Sequence, residues 1–94
     1  MGTYIDVVDT AILCGLDIKQ NTLDKAEVQA RCPYCNDYKY RMYLSRNPDN
    51  PTFFCHNCGH RGNAVILFAD FNPMLQPMTT QEAYRYLINN PNIH

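Results

Sequence analysis

Cys32-Pro33-Tyr34-Cys35 and, after nineteen intervening residues, Cys55-His56-Asn57-Cys58-Gly59 form two C-x-x-C pairs that bracket a strand, a turn and a second strand. Two residues between cysteines let both sulfurs face one point while backbone amides turn toward them, and Gly59 supplies the permissive dihedrals for leaving such a knuckle. Two knuckles make a tetrahedral set of four thiolates, the spacing of a zinc site. Cys32, Cys35, Cys55 and Cys58 are therefore the expected ligands of one Zn2+ ion. Four protein ligands leave no open position for water or substrate, so the ion is expected to be structural. Two disulfides, a redox C-x-x-C or an iron–sulfur cluster remain as alternatives, although two matched pairs around a hairpin exceed what a redox motif needs. His56 and His60 are spare donors read as surface residues. The fifth cysteine, Cys14, sits on an apolar helix face as a small core residue.

Working outward, Tyr38 to Leu44 alternates Tyr38, Tyr40, Met42 and Leu44 on one face with Lys39, Arg41 and Tyr43 on the other, the period of a half-buried strand. Ser45 to Pro51 holds two prolines and two asparagines, a turn composition, and Thr52-Phe53-Phe54 resumes a strand. A further strand is expected near residues 27–31, ahead of the first knuckle, after an extended piece and a turn over 16–23.

Ile5, Val8 and Ile12 fall at helical spacing before Gly15, which predicts a short helix over 5–14. Asn63 as N-cap tips the apolar run 63–71 toward helix, although periodicity alone does not divide it from a strand, and Asn72-Pro73 ends it. Thr79-Thr80-Gln81-Glu82 fits a capping box opening a helix over 80–89. The fold class is thus a small α+β zinc ribbon. One domain spans residues 1–94, with a ribbon core over 27–62 and helices on either side. Phe68, Val65 and Leu67 are expected to pack with Ile12, Val8, Leu87 and Ala83 against one side of the ribbon.

Ninety-four residues bury only a modest core, which a metal staple would reinforce. No run approaches the roughly 18 apolar residues of a membrane span, and the N-terminus lacks a signal-peptide pattern, so a soluble cytoplasmic protein with reduced thiols and no membrane partner is expected. Net charge is −1, but it is unevenly spread. Residues 1–30 carry five acids against two lysines, whereas residues 31–61 carry Arg31, Lys39, Arg41, Arg46 and Arg61 against two aspartates. A four-thiolate zinc site offsets most of that local excess, so any nucleic-acid affinity should be weak and salt-sensitive. The face expected to carry it is Lys39, Arg41 and Tyr43, joined by Arg46 in the turn and Arg61 beside the second knuckle. Cations there would hold a backbone and the ring would stack a base.

With these residues in hand, the chain resembles the N-terminal zinc-binding domain of bacterial and phage DNA primases, a CHC-type zinc ribbon. The resemblance rests on Cys32-Pro33-Tyr34-Cys35, the aromatic Phe54 before the third ligand, and the C-x-x-C-G-x-x-G exit from Cys55 to Gly62. Asn63 to Phe68 resembles the helix that follows the ribbon in that family, Gln81 to Leu87 its closing helix, and Asp6-Val7-Val8 its first. The resemblance implies a helix after Gly62 and a module that recognises single-stranded template DNA in replication priming. Two departures stand out: Cys35 replaces the histidine of many members, and residues 1–94 contain no acidic magnesium-binding catalytic domain. The chain is then either a domain of a primase or a stand-alone ribbon, and the sequence leaves both open.

The leading expectation is a non-catalytic, single-stranded DNA-binding module, working with a helicase or a catalytic primase or polymerase. The acids are scattered and the histidines are unpaired with acids, so an enzyme acting on a small-molecule substrate is not expected. The alternative is a protein-interaction adaptor, encoded by a phage or mobile element, that docks on replication or transcription machinery. Low net charge and partly exposed aromatic surface motivate it.

Overall fold

Among the described residues, each α-helix begins at a side-chain cap. Asp6 accepts a hydrogen bond from the Val8 amide and opens α1 (Val7–Leu13). Asn63 accepts from the Ile66 amide at 3.0 Å and opens α2 (Ala64–Phe71). Thr79 and Glu82 exchange hydrogen bonds in a capping box that opens α3 (Thr80–Ile88). Such caps satisfy amides that have no partner inside the helix, worth about 1 kcal/mol each. Gly15, at φ 81°, takes the chain out of α1. Asn72 leaves α2 in extended backbone, as the proline after it requires. The structure, a computed structural model, describes residues 5–47, 49–74 and 76–89; Pro48 of the expected turn lies outside them.

Between α1 and α2 run four antiparallel strands, β1 (Glu27–Ala30), β2 (Met42–Ser45), β3 (Thr52–Cys55) and β4 (Arg61–Asn63), paired in chain order. The result is a small α+β fold with a ribbon at its centre. The outer edge of β1 is covered by the preceding segment, where Ile18 bridges Ala30 and a single 3-10 turn occupies Gln20–Thr22. β4 is an element that the sequence did not announce. It pairs Gly62 with Phe53, and a side chain at position 62 would meet the Phe53 ring at 3.2 Å, which accounts for the second glycine of the exit motif.

All three helices lie on one face of the sheet. Val28, Ala30, Met42, Leu44 and Phe53 point into a core completed by Val7, Val8 and Ala11 of α1, Leu67 and Phe68 of α2, and Ala83 and Leu87 of α3. Burying a side chain of the Val, Leu or Phe class stabilises by about 1.5–3 kcal/mol. The expected core needs one correction. The buried arc of α1 is centred on Ala11, and Ile12, about 100° further round the helix, is half exposed. Val65 packs against this core as expected but is only partly buried.

A second correction concerns β2, which begins at Met42 rather than Tyr38. Residues 36–40 instead loop around Asp37, with Asn36 and Tyr40 at φ 55° and 57°. The loop leaves Tyr38 71% exposed and swings Tyr40 out of the inward row, its hydroxyl donating to Asp17. A buried carboxylate that gathers local amides competes with strand pairing, and here it prevails. Among the described residues no helix is long and apolar enough to cross a membrane.

Candidate metal centre and the open face of the sheet

The first knuckle follows β1 and the second leaves β3, so sheet pairing helps bring four cysteines together from positions up to 26 residues apart. The sulfurs of Cys32, Cys35, Cys55 and Cys58 all lie within 4.8 Å of one another, a group placed to bind a metal ion. Cys32 faces Cys58 at 3.8 Å and Cys35 faces Cys55 at 3.8 Å. Those separations are far beyond a disulfide bond of about 2.05 Å. Cys14 is not one of the group. It sits half-buried at the end of α1, where burial pushes its thiol up to about 12.

Amides supply the second layer of the site. Gly59, at φ 78°, lets the chain turn back so that its amide reaches the Cys55 carbonyl at 2.8 Å, while the amides of Asn57 and Cys58 donate to the Cys55 sulfur. The Asn57 side-chain amide donates to the Cys35 sulfur at 3.4 Å and brings that thiol down to about 7. Burial moves Cys32 the other way. Cys32 and Cys55 are buried, Cys35 is half-buried and Cys58 is exposed.

Neither His56 nor His60 joins the cluster. The His60 ring stacks on Tyr34 with centroids 3.7 Å apart, clasping one knuckle to the other. Tyr34 also meets Phe71 edge-on and donates its hydroxyl to Asp70 of α2 at 2.7 Å, so the first knuckle is anchored to a helix as well as to the sheet.

Among the described residues, no helix covers the other face of the sheet, which is left open. Register places Gln29, Tyr43, Phe54 and Arg61 in one row across all four strands. His56 stands edge-on to both Tyr43 and Phe54, with centroids at 4.8 Å in each case. Its amide donates to the Arg41 carbonyl, which sets Arg41 beside the row.

Of the five residues expected to meet nucleic acid, the structure groups Arg41, Tyr43 and Arg61. Lys39 is exposed in the loop before β2. Arg46 does not join them: it reaches the α1 side of the sheet, pairing with Asp6 at 3.4 Å and donating to the Leu23 carbonyl at 2.8 Å. The alternation that turns Tyr43 outward turns residue 46 inward. Phe54 and His56 were missed as members of this surface. Their signal was the parity of β3, since an inward Cys55 obliges both its neighbours to point out.

Comparison of the chain with protein-family models, with curated proteins and with solved structures finds no match. Function must therefore be argued from these two features, the thiol cluster and the aromatic, basic face beside it.

Proposed function

We propose that this chain is a zinc ribbon of the primase zinc-binding kind, a non-catalytic module that binds single-stranded DNA across the open face of its sheet. Zinc is the metal that the donor set favours. A tetrahedral ion with Zn–S bonds of about 2.3 Å separates its sulfurs by about 3.8 Å, and both facing pairs here stand at 3.8 Å. Cys32, Cys35, Cys55 and Cys58 would hold it, and a closed four-thiolate site gives it a structural role.

The observation that carries the DNA reading is the row of Tyr43, Phe54 and Arg61, with His56 between the rings and Arg41 alongside. Single strands bind where cations follow the backbone and aromatic rings accept bases, each stack contributing about 1–3 kcal/mol. Phe54 is 37% exposed on a strand that buries Phe53 directly beside it, so the face retains a large apolar ring that the core does not use. Arg41 is partly engaged by Asp37, which leaves Arg61 as the freer cation and keeps the electrostatic contribution small.

The test is fluorescence anisotropy of the zinc-loaded protein with short single-stranded oligonucleotides at two salt concentrations. Saturable binding that weakens with salt supports the reading. Its absence at low salt refutes it and turns attention to an adaptor that binds protein.

A further inference from the structure

Gln29 stands at the β1 end of the open row, next to Tyr43. Its side-chain amide is held in one orientation. Nε2 donates to the Tyr43 hydroxyl at 2.8 Å and lies 3.5 Å from the Tyr40 carbonyl oxygen. A carbonyl only accepts, so the nitrogen of the amide faces Tyr40 and the oxygen faces away. The position of that carbonyl is itself set by the loop around Asp37, which puts Tyr40 at φ 57°. Nε2 of Gln29 thereby faces two acceptors, the nearer being the Tyr43 hydroxyl. Oε1 accepts no hydrogen bond from the described residues, and it is not a buried unpaired atom.

A fixed acceptor beside a stacking ring discriminates between bases by what their edges offer. Cytosine and adenine project an exocyclic amine past the ring, and guanine presents an amine next to a ring N–H. Thymine presents its single N–H between two carbonyl oxygens, which a carbonyl acceptor repels. The geometry points to Gln29 as the specificity-determining residue of this face, accepting a hydrogen bond from the exocyclic amine of a base stacked on Tyr43 and so selecting against thymine and uracil. The assignment rests on the reading of the face as a single-strand platform. An acceptor on a freely rotating side chain would offer its own N–H to thymine instead. Here Tyr43 and Tyr40 remove that option.

Oligo-5-methyldeoxycytidine and oligothymidine share ring size, methyl group and stacking area, and differ in the edge that Gln29 would read. Anisotropy titrations of the zinc-loaded protein with the two should show the methylcytidine strand binding roughly fivefold more tightly, the worth of one uncharged hydrogen bond. Gln29→Met keeps the length of the side chain and removes the acceptor, and it should bring the two affinities together. Equal binding of the two strands by the wild-type protein overturns the assignment while leaving the platform standing. A preference that survives Gln29→Met, with metal content and melting curve unchanged, overturns it as well. Failure of both strands to bind at low salt removes the platform and the assignment together. The comparison of the two strands on the wild-type protein decides the matter even if the variant does not fold.

Discussion

Asp37 and Arg41 are joined three times: the Arg41 amide donates to Asp37 Oδ2 at 2.8 Å, its Nε to Oδ1 at 3.0 Å and its Nη2 to Oδ1 at 2.9 Å. The Lys39 amide adds a fourth donor to the same carboxylate. This staple closes the loop between the first knuckle and β2, and it fixes both the Tyr40 carbonyl and the backbone of Arg41.

Asp37→Asn should therefore lower the melting temperature by several degrees at neutral pH, since it removes a charge on which several donors converge. Burial alone would raise the Asp37 carboxyl, but the Arg41 amide and guanidinium and the Lys39 amide outweigh it and hold it below the usual range. A depressed folded value means that the contribution is complete above the unfolded aspartate value of about 3.9 and is lost only as pH falls through the lower folded value. The gap in melting temperature between wild type and variant should thus stay constant from about pH 5 to 8. A gap that closes within that interval contradicts the staple.

Metal removal should unfold the ribbon. The strands are three or four residues long, and structural zinc contributes on the order of 10–16 kcal/mol in zinc-finger peptides at neutral pH. Native mass spectrometry should find one zinc per chain, and Cys55→Ser should reproduce the collapse of chemical-shift dispersion that chelation causes. Dispersion that persists in excess chelator would rule out a structural metal.

Burial ranks two neighbouring positions on α2. Leu67 is fully buried and Val65 only partly, so Leu67→Ala should cost about 2–5 kcal/mol and Val65→Ala distinctly less. Urea denaturation of both variants reads the order directly, and a reversed order would show that α2 is rotated from its described position.

On the open face, Phe54→Ala should weaken single-strand binding by about 1–3 kcal/mol, the worth of one stacked base. Arg61→Glu should weaken it further and flatten its salt dependence. Arg46→Ala should leave binding unchanged and lower stability instead, because its guanidinium ties Asp6 and the Leu23 carbonyl together on the far side of the sheet. Anisotropy and thermal melts on the three variants separate a binding surface from a structural one. Loss of affinity in Arg46→Ala with an intact fold would place the contact on the wrong side.

What was legible in the chain was local. Thiol spacing in Cys32-x-x-Cys35 and Cys55-x-x-Cys58, the caps at Asn63 and Thr79, and the stop at Asn72-Pro73 each depend on chemistry within four residues, and the structure shows the thiol cluster, both caps and the stop. Parity within a strand was legible too, which is why Met42 and Leu44 face inward and Tyr43 outward. Tertiary structure decided whatever depends on partners distant in sequence. Alternation continued smoothly through Tyr38 and Tyr40, yet the buried Asp37 carboxylate diverted those residues into a loop. Arg46 carries the same charge as Arg61, and only the packing of α1 on β2 brought Asp6 to meet it. Gly62 was legible only as the end of the exit motif, and it took strand pairing to lay it against the Phe53 ring. Residue type and spacing specify which groups attract one another, but which pairing survives depends on the desolvation and geometry that the assembled core imposes.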